Sequence, residues 1–246
     1  QELLLTAAIF TVFLCIIFGS NAVAVKLAFT GVGVFTTASI RFAIAASAIF
    51  LWARFTGQTI ALKKGQIHQI LVFSALFTVQ LSLFYLGLSK TNASRGVLLS
   101  NLVPFFILFL AHFFIPGDRI TRRKFYGILL GFGGVVFMFL EKKGVAAGFL
   151  TGDLIILLAV IIWSSSTIYL KRILSTFIPF QVVFYSTLFA APFFFFEALL
   201  WDGTMVSRLD APVIGSLLYQ SLIAASFGFV AWNNMLQKYG AVSLHS

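Results

Sequence analysis

The feature that most limits this chain is a succession of eight long apolar runs, each close to the ~20 residues a helix needs to cross the hydrocarbon core of a bilayer. They lie at 3–27, 33–53, 68–88, 95–115, 125–140, 153–170, 179–201 and 212–237, and a ninth starts at Ala241. Gly, Pro or charged residues mark the breaks: Gly31 and Gly33, Pro116-Gly117-Asp118, Gly148 and Gly152, Asp202-Gly203. No connection is long enough to be a separate soluble domain. A water-soluble globule is excluded, because 60% of the residues are hydrophobic and 10% charged, against about 25% charged in an ordinary soluble domain. The expected class is an all-α integral membrane protein whose first partner is the lipid bilayer.

Composition then removes several functions. The net charge of +10 comes from short Lys and Arg clusters between apolar runs, which read as topology signals and not as a nucleic-acid footprint. Ten of these cations fall on one side of the membrane, among them Arg54, Lys63, Lys64, Arg119, Arg122, Arg123 and Lys124. Six fall on the other (Lys26, Lys90, Arg95, Lys142, Lys143, Arg208), and Arg41 lies inside a run. The positive-inside rule puts the N-terminus in the cytoplasm. Cys15 has no second cysteine to pair with and no His neighbour, so neither a disulfide nor a metal site is expected. The first run has no basic stretch before it and is too long for a signal-peptide core, so it is expected to remain as a membrane helix.

An internal repeat emerges when the first half is laid on the second. Phe18-Gly19-Ser20-Asn21 through Lys26 matches Trp163-Ser164-Ser165-Ser166 through Lys171, and Phe35, Ala45 and Ala46 match Phe180, Ala190 and Ala191 in the same register. After a small gap, Leu88, Lys90 and Ala93 match Leu236, Lys238 and Ala241. A five-helix unit has an odd number of spans, so its second copy enters the membrane upside down, an architecture of transporters. The units are expected at 1–146 and 147–246, the second cut off after the start of its fourth helix. Ten helices are then expected in a complete chain, eight plus a stub of the ninth being present.

Several short motifs, taken in order, resemble the EamA-type branch of the drug/metabolite transporter superfamily. They are Gly19-Ser20-Asn21 with Lys26, Ile40-Arg41-Phe42, Phe84-Tyr85, Ala93-Ser94-Arg95-Gly96-Val97-Leu98-Leu99, Pro104, Asp118-Arg119-Ile120-Thr121 and Gly127 with Gly134. In the second half Gly152-Asp153-Leu154, Trp163, Lys171, Trp232 and Tyr239-Gly240-Ala241 take the matching places. Asp118 stands where the family usually has Glu. The resemblance implies two inverted five-helix repeats around a central cavity, small organic metabolites as cargo, alternating access, often export, and a bacterial inner membrane. It does not fix the substrate.

Polar side chains inside lipid need a reason, since a charged one at the centre costs at least about 2.5–3.5 kcal/mol. At 1.5 Å per residue, Arg41 and Gln80 lie about 12 Å from the outer ends of their helices, and Asn21 and Asn101 about 9 Å. Four runs of alternating direction thus put a polar group at one depth, with Gln220 beside them. In the second half Ser164, Ser165, Ser166, Tyr185, Trp232 and Asn233 sit at the mirror-image depth, and Trp163, Tyr185 and Trp232 are candidates for an aromatic wall. The expected substrate contacts are Asn21, Arg41, Gln80, Asn101, Trp163, Ser166, Tyr185, Trp232 and Asn233. Arg41 has the fork geometry for a carboxylate or phosphate; snorkelling or carbonyl capping is its structural alternative. Glu197, the one acid within an expected span, and His112 are candidates for proton coupling; both lie near helix ends, where snorkelling accounts for them as well. Gly127, Gly131, Gly133 and Gly134 suit close helix packing, and Pro104 and Pro192 suit bends.

No paired carboxylates, Ser–His pair or HExxH motif is present, so an enzyme is not expected, nor a cofactor. The expected function is a multi-pass carrier for small organic solutes, amino acids among them, working as an exporter; a channel for small solutes is the alternative.

Overall fold

The computed structural model describes residues 5–114 and 147–239, with Tyr126, Gly127, Leu130 and Gly133 between them. The fifth apolar run, the Pro116–Asp118 break, Gly131, Gly134, the side chain of His112 and the ninth run therefore lie outside the described residues. Seven helices among the described residues are long and apolar enough to cross a membrane, and they match the other seven runs.

The first half contributes α1 (Leu5–Ala28), α2 (Val34–Phe55), α3 (Gln66–Lys90), α4 (Ala93–Ser100) and α5 (Val103–Phe114). The fourth run is thus split. Pro104 has no N–H to give the Ser100 carbonyl and its ring crowds that carbonyl, so the helix ends at Ser100, turns at Asn101 and Leu102, and restarts at Val103. Pro192, by contrast, lies inside an uninterrupted helix. The second half contributes α6 (Ala147–Ile173), α7 (Pro179–Trp201), α8 (Ala211–Leu218) and α9 (Phe229–Tyr239), the last two joined by a π-helical segment Tyr219–Gly228. Ser226 Oγ donates to the carbonyl of Ser221, five residues back, at 2.7 Å, which suits the wider π turn.

The inversion can be read from the contacts. The start of α2 meets the end of α7 at Asp202, Ser39 Oγ meets Ala191 O midway at 3.1 Å, and the end of α2 packs with the start of α7 through Ile49, Ala53, Phe180 and Val183. The second helices of the two halves therefore run in opposite directions. The same exchange holds elsewhere: α3 packs along α6, and α1 along α8 and the π segment; α3 also touches α7, and α2 touches the π segment. Each pair is the other's counterpart when the halves are swapped.

In lipid, association comes from close packing and not from burying apolar surface. Gly152, read from sequence as a break, lies inside α6 and is where α3 crosses it: a Cβ there would stand 2.8 Å from Gly87 O, and one on Gly87 2.9 Å from Gly152 O. Around the outside, Phe193, Phe195, Phe196, Leu199 and Leu200 of α7 are exposed for lipid, while Phe194 turns inward and stacks on Phe42 at 5.5 Å.

Candidate functional site

Between the two faces lies a polar layer built mainly from α2, α3, α6 and the π segment. Arg41 is 3% exposed. Its Nη1 donates to Tyr85 Oη at 2.9 Å, Tyr85 Oη donates to Gln220 Oε1 at 3.4 Å, and Gln220 Nε2 donates to Ala24 O at 3.2 Å. One chain of neutral acceptors thus ties α2, α3, the π segment and α1 together. The guanidinium also lies over two rings, 5.1 Å from the Phe42 centroid and 5.7 Å from that of Phe229, contacts worth about 2 kcal/mol when desolvated. Arg41 Nε has no partner, and neither does Asn21 Oδ1.

Gln80 is drawn to a different neighbour, accepting a short hydrogen bond from Ser166 Oγ on α6. One turn further along α3, Phe84 meets Trp163 edge-on at 6.3 Å. A matching pair stands across the molecule: Phe18 of α1 meets Trp232 of α9 edge-on at 5.9 Å. In the register of the repeat, Phe18 corresponds to Trp163 and Phe84 to Trp232, so the two aromatic pairs are internal counterparts, each joining one half to the other. Trp163 and Trp232, expected from sequence in one aromatic wall, thus stand in two separate ring pairs. Tyr185 belongs to neither; it packs on Phe184 and Phe189 of its own helix. Asn233 is buried beside Trp232, whereas Asn101 is exposed at the α4–α5 break. No hydrogen bond between their side chains links Asn21 or Asn101 to Arg41 or Gln80.

Above and below this layer the two halves clasp each other. On one face the Asp202 carboxylate, at the end of α7, accepts from Thr36 N (2.7 Å), Thr36 Oγ1 (2.8 Å) and Phe35 N (3.3 Å), capping α2. Gly33 N donates to Met205 O, and Gly31 O accepts from Ser207 N and Arg208 N. On the opposite face Gln181 Nε2 donates to Ala61 O at 2.7 Å while its Oε1 takes Ile178 N. Gln66 Nε2 donates to Thr176 O at 2.7 Å while its Oε1 takes Lys63 N. The first clasp joins the α1–α2 and α7–α8 loops; the second joins the α2–α3 and α6–α7 loops. Swapping the halves turns one clasp into the other.

Sequence reasoning missed three sets of residues here. Tyr85 was legible only as part of a motif, although a buried Tyr hydroxyl needs a partner. The clasp glutamines Gln66 and Gln181 looked like ordinary polar helix starts; their shared signal is a side chain that caps a backbone N–H three residues earlier. Arg95, counted among the loop cations, is instead buried and paired with Asp153 of α6 through Nη2 and, at 2.9 Å, Nε; Thr91 Oγ1 donates to the other carboxylate oxygen at 2.9 Å. Glu197 is half-buried and accepts from Ser82 Oγ of α3 at 2.8 and 2.9 Å. Among the described residues no group of three His, Cys, Asp or Glu side chains is placed to hold a metal.

The comparisons with known proteins agree with this architecture. The model of the EamA-like transporter family matches twice, over residues 5–140 and 150–244. The uncharacterized transporter YetK of Bacillus subtilis is 29% identical over 240 residues, covering 92% of this chain and 70% of its own length. The probable amino-acid metabolite efflux pump of Escherichia coli is 26% identical over 237 residues, covering 91% and 76%. A solved crystal structure superposes with a TM-score of 0.75 at 18% identity, covering 97% of this chain and 83% of that one, which speaks for the fold. Two matched helical units, membrane-length spans and transporter relatives give one conclusion: the chain belongs to the EamA-like transporter family.

Proposed function

We propose that this chain is a carrier that exports small organic solutes, amino acids among them, by alternating access between two inverted repeats, residues 1–146 and 147–246. The observation that carries the reading is the pair of cross-half clasps, one on each face, related by the repeat and separated by a buried polar layer. Two equivalent gates on opposite sides of one layer suit a device that opens one face while the other stays shut. An open pore needs no such duplication. The carrier assignment also accords with the transporter names of the relatives, and the amino-acid cargo with the name of the Escherichia coli pump.

In this account the solute enters between the halves and contacts Asn21, Arg41, Gln80, Asn101, Trp163, Ser166, Tyr185, Trp232 and Asn233. Its arrival displaces the Phe84–Trp163 or Phe18–Trp232 plug. The Asp202 clasp faces outward and the Gln66–Gln181 clasp faces the cytoplasm, as the excess of Lys and Arg on the latter side demands. The membrane is a bacterial inner membrane.

Counterflow tests this reading. Proteoliposomes loaded with an unlabelled amino acid should take up the same labelled compound transiently, with a rate that saturates. Flux that rises linearly with concentration would make the protein a channel, and no exchange with any amino acid would remove that class of cargo.

A further inference from the structure

We infer that Arg41 is the anchor for an oxyanion of the transported solute, a carboxylate or a phosphoryl group; this deepens the carrier reading and rests on it. Arg41 is nine-tenths and more buried, and its guanidinium is a cation with donors only. Its one hydrogen-bond partner is the neutral Tyr85 hydroxyl, and Nε is buried without a partner. The four described acids are all engaged elsewhere. Asp153 holds Arg95, Asp210 holds Arg208, Asp202 caps α2, and Glu197 takes Ser82. Among the described residues the cation therefore has no counter-charge, in a setting where an unpaired buried charge is strongly unfavourable.

The internal repeat argues that the scaffold does not need this cation. In the register of the repeat, Arg41 corresponds to Ser186 and Tyr85 to Asn233, and Ser186 merely bonds back to the carbonyl of Val183 at 3.1 Å. The same pair of helices is thus built once with a cation and once without. Asn21 Oδ1, another of the buried atoms without a partner, follows the same logic. Ser166 meets Gln80; in the register of the repeat Ser166 corresponds to Asn21 and Gln80 to Gly228, and Asn21 Oδ1 has no partner. The departures from internal symmetry therefore leave one nitrogen of a charged donor, Arg41 Nε, and one acceptor, Asn21 Oδ1, without partners. A planar guanidinium with free N–H groups matches the two oxygens of a carboxylate or phosphoryl group.

The test uses the purified protein in detergent, with thermal unfolding followed by tryptophan fluorescence at constant ionic strength. Benzoate, phenyl phosphate and benzamide are the probes. Stabilisation by benzoate alone assigns a carboxylate, and by phenyl phosphate alone a phosphorylated solute; benzamide should have no effect. Arg41→Gln should abolish the stabilisation while its ligand-free midpoint stays close to that of the wild type, since relief of the buried unpaired charge offsets the lost ring contacts. Arg41→Lys should weaken the half-saturation by about tenfold or more, the factor a charge-assisted hydrogen bond supplies. Equal effects of benzamide and benzoate, an unaltered response in Arg41→Gln, or a large fall in its ligand-free midpoint would overturn the inference. Amino-acid counterflow separates the two levels of the account. Saturable exchange retained by Arg41→Gln overturns the anchor and leaves the carrier, whereas a wild type that neither exchanges nor responds to either oxyanion overturns both.

Discussion

Replacing Asp202 by Ala should open the face that it guards. Its carboxylate holds two backbone N–H groups and one hydroxyl at the start of α2, at 2.7, 3.3 and 2.8 Å. Loss of a helix N-cap costs about 1 kcal/mol and up to 2, and loss of a negative charge at a helix N-terminus costs about 0.3–1 kcal/mol more. Asp202 is only half-buried, so about 2 kcal/mol is a fair sum after screening. If these contacts are made only when the face is closed, the whole amount moves the open–closed equilibrium, by roughly 30-fold. The assay is the labelling rate of Asn21→Cys by a membrane-impermeant maleimide, in a background where the native Cys15 is Ser. Added on the Asp202 side, the reagent should react roughly 30-fold faster in Asp202→Ala, and Asp202→Asn, which keeps an acceptor oxygen, should fall between. A rate unchanged by Asp202→Ala, or raised only for reagent on the opposite side, would refute the reasoning.

Three further outcomes follow from the same contacts. Gln181→Ala removes both the bond to Ala61 O and the cap on Ile178 N, and labelling of Asn21→Cys should rise for reagent on the α2–α3 side and not on the Asp202 side. Asp153→Ala leaves Arg95 and Thr91 buried without their acceptor and should destabilise by about 3–5 kcal/mol, while Arg95→Leu with Asp153→Leu should recover most of that; unfolding of the detergent-solubilised protein measures both. Gly152→Val places side-chain carbons against the α3 backbone at Gly87 and Lys90, so it should lower the unfolding midpoint by several degrees, as an overpacking cost of about 1–3 kcal/mol implies, where Gly203→Val, in open space, should not.

The spans were legible because lipid demands about 20 apolar residues per helix, and the second copy of the unit was legible because Lys26 and Lys171 close its first helix in both halves. Other features left no trace in the pattern. The π segment Tyr219–Gly228 is apolar on most sides, so a change in helical period does not disturb its hydropathy. Pro104 announced a break but not that the helix would stop at Ser100, four residues earlier, where the missing hydrogen bond falls. Arg95 looked like a loop cation because its partner Asp153 is 58 residues away, and only the α4–α6 packing brings them together. Sequence spacing put Arg41 and Gln220 at one depth, and one Tyr85 hydroxyl joins the two side chains. Depth alone could not tell which helices face each other, which is why Gln80 went to Ser166 and Asn101 stayed at the surface.

The central claim, that the two clasps alternate, is tested most directly by locking one of them. A Cβ on Gly33 would lie 2.9 Å from Asp202 Cβ, within a small relaxation of the ~3.5–4.5 Å of a disulfide. Gly33→Cys with Asp202→Cys, in the Cys15→Ser background, should therefore cross-link on oxidation. The account predicts that amino-acid counterflow stops when the bond forms and returns on reduction. Counterflow that continues at the reduced rate with the cross-link complete would contradict it.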